Sequence, residues 1–306
     1  MNNTEEELIL TVDKHQLKLT HLNKLYWPED HIYKKDLIDY YAEISTIILP
    51  YLIDRPESMH RFPNGIGNPG FYQKNAAHLP DWIETKEIIS DSGGKINYIL
   101  CQNKATLLYL ANLGCIEMHP WFSRIGSLEN PDFCVLDLDP EKVDFTDVIK
   151  TALAINHLLE SLGIPSYCKT SGSRGLHICI PLGAKYAYEQ SVNFAQIIAT
   201  LITRELPDIT SLERLPSKRQ GKVYIDCLQN RFGQTLASAY SVRPRLGATV
   251  STPLQWDELV PKLRPEQFTI KNTLKRIEKY GDFFKPVLGK GIDLTIFLKK
   301  LQNKVT

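Results

Sequence analysis

The stretch DFCVLDLDP, residues 132–140, ends a short apolar run on two aspartates. Phe133, Cys134, Val135 and Leu136 read as a buried strand, and Pro140, which has no N–H to give to a ladder, closes it. On a strand, residues two apart project to the same side, so Asp137 and Asp139 form a pair. Two carboxylates about 4 Å apart repel by about 4 kcal/mol at an effective dielectric of about 20. The fold must therefore bury the body of this strand and leave its end beside water or a compensating cation. Taken alone, D-x-D is a short pattern, and two turn-starting acids in solvent account for it more simply than a metal site.

A third acid changes that balance. Asp226 ends another apolar run, KVYID, in the same way. If the two strands are neighbours, three carboxylates converge, which suffices for hard divalent ions such as Mg²⁺ or Mn²⁺ in a two-metal site. Judged alone, Asp226 reads equally well as the acid of a hairpin turn.

The rest of the chain supplies a frame for these strands. KKDLIDYYAEISTIILPYL carries Leu37, Tyr40, Tyr41, Ile44 and Ile48 near helical spacing, with Pro50 at the end. A loop-rich stretch, RFPNGIGNPGFYQKNA, follows, then a strand over residues 96–100. Asn103 is placed to cap a helix that Gly114 stops, and IEMHPW is extended again. Val148, Ala152, Ile155, Leu159 and Leu162 mark a helix ended by Gly163. PSYCKT and GLHICIPL read as strands joined by the turn SGSRG. A helix over 188–206, strands in GKVYIDCLQN and TLASAYSVR, and a helical tail from Pro265 complete the pattern. Strands interleaved with helices and hairpins imply an α+β fold of mixed sheets flanked by helices.

With no repeat or linker, one unit is expected over 1–306. Its 306 residues are 43% hydrophobic, enough for a sizeable core. The net charge of +1 gives no global field for nucleic acid, so any such surface must be local. Six scattered cysteines without a C-x-x-C suit reduced thiols, and the acidic start MNNTEEELIL is unlike a signal sequence. The expected location is cytoplasmic.

Several segments carry chemistry beyond the acids. TSGSRGLHICIPL offers backbone N–H groups and hydroxyls to a phosphate, with Arg174 beside them and His177 on the following strand. A tight hairpin with a core histidine explains the same letters, and His119 in EMHPW is equally ambiguous. Basic groups gather in RLPSKRQGK (Arg214, Lys218, Arg219, Lys222), in SVRPR (Arg243, Arg245) and around LYWPEDHIY (Lys24, Lys34, Lys35). Phe71 and Tyr72 on the Gly/Pro loop could stack on bases.

Taken in order, NKLYWPED, KKDLIDYY, RPESMHRFPNG, GFYQKN, EMHPW, VLDLDP, TSGSRGLHICIPL, KVYIDCLQN and AYSVRPRLGATVSTPLQWDEL resemble the polymerase domain of bacterial ligase D, a member of the archaeo-eukaryotic primase (primase-polymerase) superfamily. The resemblance runs from about Leu19 to beyond Leu259. It implies an RRM-like catalytic core over 116–260, an N-terminal α/β extension over 1–115 that binds DNA ends, and a helical tail over 261–306.

By the same resemblance, Asp137, Asp139 and Asp226 are the catalytic, metal-binding aspartates. Ser171, Arg174 and His177 hold the incoming triphosphate, where the family often has Lys in place of Arg174. His119 and Arg243 belong to the nucleotide site, with Gln229 nearby. Lys24 and Lys34 grip the 5′-phosphate of a DNA end, and Phe71 and Tyr72 match a Phe-Phe pair that stacks at the template break. The implied activity is a template-dependent DNA/RNA polymerase for non-homologous end joining. It prefers ribonucleotides and Mn²⁺ (or Mg²⁺) and works with Ku and a ligase in trans, near the nucleoid. No segment reads as a ligase nucleotidyl-lysine motif or a zinc knuckle. Two other readings stand beside it: a non-catalytic module that bridges DNA ends, and an aspartate-nucleophile phosphatase built on DLDP.

Overall fold

The computed structural model describes residues 7–90 and 93–305 and belongs to the α+β class. Its chain gathers into two units that alternate along the sequence. One takes the chain up to Gly126 with Thr235–Ser251 and Phe268–Gly281; the other takes Ser127–Gln234, Thr252–Gln267 and the chain from Asp282.

The first unit begins with a hairpin, Leu8–Val12 (β1) and His15–Leu19 (β2), whose two turn residues, Asp13 and Lys14, both have positive φ. A small pair follows, Leu25–Trp27 (β3) and Ile32–Tyr33 (β4), leading into the helix Lys34–Ile48 (α1). All five residues of the expected apolar stripe on α1 are buried. A five-stranded antiparallel sheet comprises Pro56–Arg61 (β5), Phe71–Gln73 (β6), Thr85–Ile89 (β7), Lys95–Leu100 (β8) and Cys115–Pro120 (β9). β5 lies at its centre, paired with β6, β8 and β9. The helix Lys104–Asn112 (α2) starts where expected, with the Asn103 carboxamide accepting from the Thr106 N–H at 2.8 Å. Tyr41 of α1 donates its hydroxyl to the Ile116 carbonyl (2.6 Å), fixing the helix to β9.

In the second unit a six-stranded sheet is built from Phe133–Pro140 (β10), Tyr167–Thr170 (β11), Leu176–Pro181 (β12), Thr210–Ser211 (β13), Val223–Asp226 (β14) and Pro253–Leu254 (β15). Its order is β13-β14-β10-β12-β11-β15, antiparallel except for β13 with β14. Phe145–Ser161 (α3), capped by Asp144, and Tyr188–Glu205 (α4) pack against it. Cys134 points to the Ser191 carbonyl of α4 (3.6 Å), so the even-numbered residues of β10 face that helix. By alternation Asp137 and Asp139 lie on the opposite face. The tail contributes Thr273–Tyr280 (α5) to the first unit and Leu294–Val305 (α6) to the second.

Two expectations fail locally. Residues 235–243 do not form a strand; they make only the isolated bridges Trp121–Thr235 and Val242–Val250. Serines replace the ladder there: the Ser238 N–H donates to the Met118 carbonyl, and the Met118 N–H donates to Ser241 Oγ. Conversely, the Gly/Pro-rich stretch contains β6, which brings Phe71 and Tyr72 to the sheet. All six cysteines are free and buried. Among the described residues no helix is long and apolar enough to cross a membrane.

Candidate functional site

In the second unit the candidate residues form a row across four strands. Lys169 on β11 is directly opposite His177 on β12, His177 opposite Asp137 on β10, and Asp137 opposite Asp226 on β14. Directly opposed residues share a face of the sheet, so these four side chains project together. Asp139 stands on the same face two residues along. The KVYID strand is therefore the neighbour of DFCVLDLDP, and the three aspartates share one sheet end.

The row is in close contact over its first three members. His177 Nε2 lies 3.3 Å from Asp137 Oδ1, and its Nδ1 lies 2.7 Å from Lys169 Nζ. A protonated lysine there leaves Nε2 as the ring's N–H, directed along the row toward Asp137. Asp226 has a local task too, accepting from the Leu228 N–H (2.7 Å) and the Gln229 carboxamide (3.4 Å). Asn230 then clamps β10: its Oδ1 accepts from the Val135 N–H at 2.8 Å and its Nδ2 donates to the Val135 carbonyl at 2.6 Å.

The turn after β11 is organised by Ser171, whose Oγ accepts from the N–H groups of Ser173 (3.1 Å) and Gly175 (3.0 Å). Only glycine fits at 175, because a Cβ there would stand 2.1 Å from the Leu138 carbonyl oxygen. This close approach seats the turn against β10 between the two aspartates, while Arg174 at its tip is exposed.

Asp139 reports the field at this sheet end. Its carboxyl is pushed up to about 7, chiefly by burial and next by the charge of Asp137, with Asp226 adding to it; Arg219 and Arg174 pull the other way. Three oxygen-donor carboxylates in a half-buried place that resists their joint ionisation are the donor set a hard divalent cation fits.

The first unit carries a second row. Tyr72 on β6 is opposite His60 on β5, and His60 is opposite Glu117 on β9. Tyr72 stacks on the His60 imidazole, with centroids 4.1 Å apart and planes 8° from parallel. Glu117 Oε2 accepts from His60 Nδ1 (2.8 Å) and from His119 Nε2 (2.6 Å), and its Oε1 accepts from Arg243 Nε (2.5 Å). Although burial alone would raise it, those three donors hold the Glu117 carboxyl well below the usual carboxylate range. Burial lowers His119, and Arg243 and His60 lower it further against the pull of Glu117. The backbone N–H of His119 donates to Glu57, a buried carboxyl that desolvation raises strongly. Among the described residues, His60, Glu117 and His119 are the group whose potential metal-ligating atoms come within 4.8 Å of one another.

The remaining candidates also lie in the first unit. Lys34 Nζ donates to the Thr20 carbonyl (2.6 Å) and Asn112 Oδ1 (2.8 Å); Lys24 Nζ donates to the Pro63 carbonyl and Asn64 Oδ1, both at 3.0 Å. Neither is paired with a carboxylate among the described residues. Burial and the charge of Lys24 push Lys34 down to about 8. Phe71 and Tyr72 are 47% and 57% exposed despite their size, and the Arg61 guanidinium lies 5.4 Å from the Phe71 ring centre.

Sequence reasoning missed Lys169, His60 and Glu117 as site residues. Lys169 and Ser171 alternate, as do Glu117 and His119, so a period-2 reading outward from the assigned residues would have reached two of them. His60 has no such signal, since its neighbours belong to other strands.

A family model described as "LigD, primase-polymerase domain" matches residues 33–284. The "Bifunctional non-homologous end joining protein LigD" of Bacillus subtilis is 36% identical over 277 residues, 88% of this chain and 44% of that protein. The "Multifunctional non-homologous end joining protein LigD" of Mycolicibacterium smegmatis is 31% identical, over 89% of this chain and 36% of that protein. The chain thus spans less than half the length of these curated relatives. The solved structure of the polymerase domain from Mycobacterium tuberculosis Ligase D in complex with DNA aligns with a TM-score of 0.84 at 30% identity. That alignment covers 90% of this chain and 99% of the other. The resemblance drawn from the sequence motifs is borne out.

Proposed function

Because the chain belongs to the LigD primase-polymerase family, we propose that it is a template-dependent nucleotidyltransferase that fills gaps or extends ends in DNA break repair by non-homologous end joining. The observation that carries this reading is the register that aligns Asp226, Asp137 and His177 across β14, β10 and β12, with the Ser171 turn seated against the same strand. An aspartate-nucleophile phosphatase has no use for that alignment.

Asp137, Asp139 and Asp226 would hold two divalent ions, Mn²⁺ or Mg²⁺. Such ions supply activation of the primer 3′-hydroxyl and neutralisation of the departing pyrophosphate. The chain's own groups do the rest. The Ser171 hydroxyl, Arg174 and His177 take the triphosphate, with Gln229 steadying Asp226. In the other unit, His119 and Arg243 contact the nucleotide, and Phe71 and Tyr72 stack on the template at the break. Lys24 and Lys34 take the 5′-phosphate of the DNA end, which suits their proximity and lack of acidic partners. Ribonucleotides are the preferred substrates. Ku and a ligase in trans are the partners, in the cytoplasm at the nucleoid, and the whole chain acts as one polymerase module.

Extension of a 5′-phosphorylated gapped duplex tests this, comparing NTP with dNTP and Mn²⁺ with Mg²⁺. Asp137→Ala and Asp226→Ala should abolish extension while the protein stays folded. Wild-type rates in either variant would overturn the metal assignment.

A further inference from the structure

The row Tyr72–His60–Glu117 connects two groups of residues to which the proposed function gives separate tasks. Tyr72, on the template side, lies flat on His60, and its edge meets His119 at 5.5 Å between centroids. His119 and Arg243, on the nucleotide side, are both held by Glu117. His60 is the link, stacked on one and hydrogen-bonded to the other.

We propose that Glu117 is the positioning residue of this unit: one buried carboxylate that sets the orientation of His119 and Arg243 for the nucleotide and, through His60, the seat of the template-stacking Tyr72. The inference rests on the nucleotide and template roles given above to His119, Arg243 and Tyr72.

Three features of the geometry support it. First, Glu117 is buried on β9, which is laddered to the central strand β5, so its carboxylate is fixed by a strand rather than by a mobile tip. Second, Oε2 accepts from both imidazoles, which requires the proton of His60 on Nδ1 and that of His119 on Nε2. The tautomer of each ring is thereby fixed whenever it is neutral, and the opposite nitrogen of each is the one left to face a ligand. Third, Oε1 accepts from Nε of Arg243 at 2.5 Å, a charge-assisted bond that sets the orientation of the guanidinium. Arg243 is delivered by the irregular segment 235–251, in which its N–H donates to the Thr249 carbonyl at 2.7 Å. A carboxylate with three donors and no solvent is also a poor place for a passive charge: removing it would take an acceptor from the Arg243 guanidinium and from both imidazoles.

The test uses the full chain on a 5′-phosphorylated gap with 2-aminopurine at the template position, whose fluorescence reads base stacking. Glu117→Gln should raise KM for the nucleotide about tenfold or more, with a smaller change in kcat, and should weaken 2-aminopurine quenching. Glu117→Asp, which keeps the charge, should restore part of both. His60→Phe keeps a ring beneath Tyr72 but loses the hydrogen bond, so it should raise KM severalfold even if Glu117→Gln folds poorly. Binding that depends on the 5′-phosphate should be unchanged in all three variants and reports that the unit is folded.

Unchanged KM and quenching in both Glu117→Gln and His60→Phe would overturn the inference, provided Arg243→Ala raises KM. If Arg243→Ala and His119→Ala also leave KM unchanged, the nucleotide assignment itself falls. Stoichiometric inhibition by Zn²⁺ that is lost in His60→Phe would make the cluster a metal site instead.

Discussion

Asp139 and Lys34 are both pushed away from their ordinary charge by burial and a like-charged neighbour, with opposite signs. For Asp139 the native value is about 7 against the ordinary aspartate value of 3.8. Between those values the folded state keeps a proton that the unfolded chain releases, so stability falls as pH rises through that window, and the penalty is complete above it. Without metal at pH 8, Asp139→Asn should therefore raise stability by about 2 kcal/mol in thermal melts while abolishing extension. Mn²⁺ should raise the wild-type melting temperature and leave the variant nearly unmoved; equal metal stabilisation of both would remove Asp139 from the ligands. For Lys34 the native value of about 8 lies below the ordinary lysine value of 10.5. The ammonium is therefore lost between pH 7 and 9 in the free protein. The preference for a phosphorylated over an unphosphorylated gap should shrink severalfold across that range, read by fluorescence anisotropy. In Lys24→Ala the repelling charge is gone, so the remaining preference should vary less with pH. A preference that strengthens toward pH 9 would refute the role of Lys34.

Elements differ in how much of themselves they write locally. The helices α1, α2 and α3 were legible because their signals are local: an apolar stripe closed by Pro50 in α1 and by Gly163 in α3, and the Asn103 cap and Gly114 stop of α2. The strand ends at Asp139 and Asp226 were legible for the same reason. Their pairing was not, because residues 141–222 separate them and no local signal sets a register over that distance. The same holds for Tyr72, His60 and Glu117, whose row exists only once three strands are aligned. The segment 235–243 failed for another reason: alternation of small and apolar residues resembles a strand, yet serine hydroxyls and N–H groups take over the ladder's partners. At the Ser171 turn, Gly175→Ala must move the chain off the Leu138 carbonyl. It should cost about 3 kcal/mol in urea denaturation and raise KM for the nucleotide. A variant of wild-type stability would show that the turn sits farther from β10.

At the scale of the molecule, the net charge of +1 leaves the proposed DNA binding to a few local cations. Each phosphate contact contributes about 0.9 to the slope of log K against log salt on duplex DNA. Lys24→Ala and Lys34→Ala should each flatten that slope by roughly one such step on a 5′-phosphorylated end; an unchanged slope would reduce them to packing residues. The chain also alternates between its two units in six segments, and so passes from one to the other five times. Neither unit is a continuous stretch of gene. A fragment ending at residue 126 would have β9 with Glu117 but not Arg243, and would lack the Ser238 and Ser241 contacts to Met118. A single crossover between residues 126 and 282 would therefore split both units at once, so a chimera that preserves either one must exchange the whole stretch.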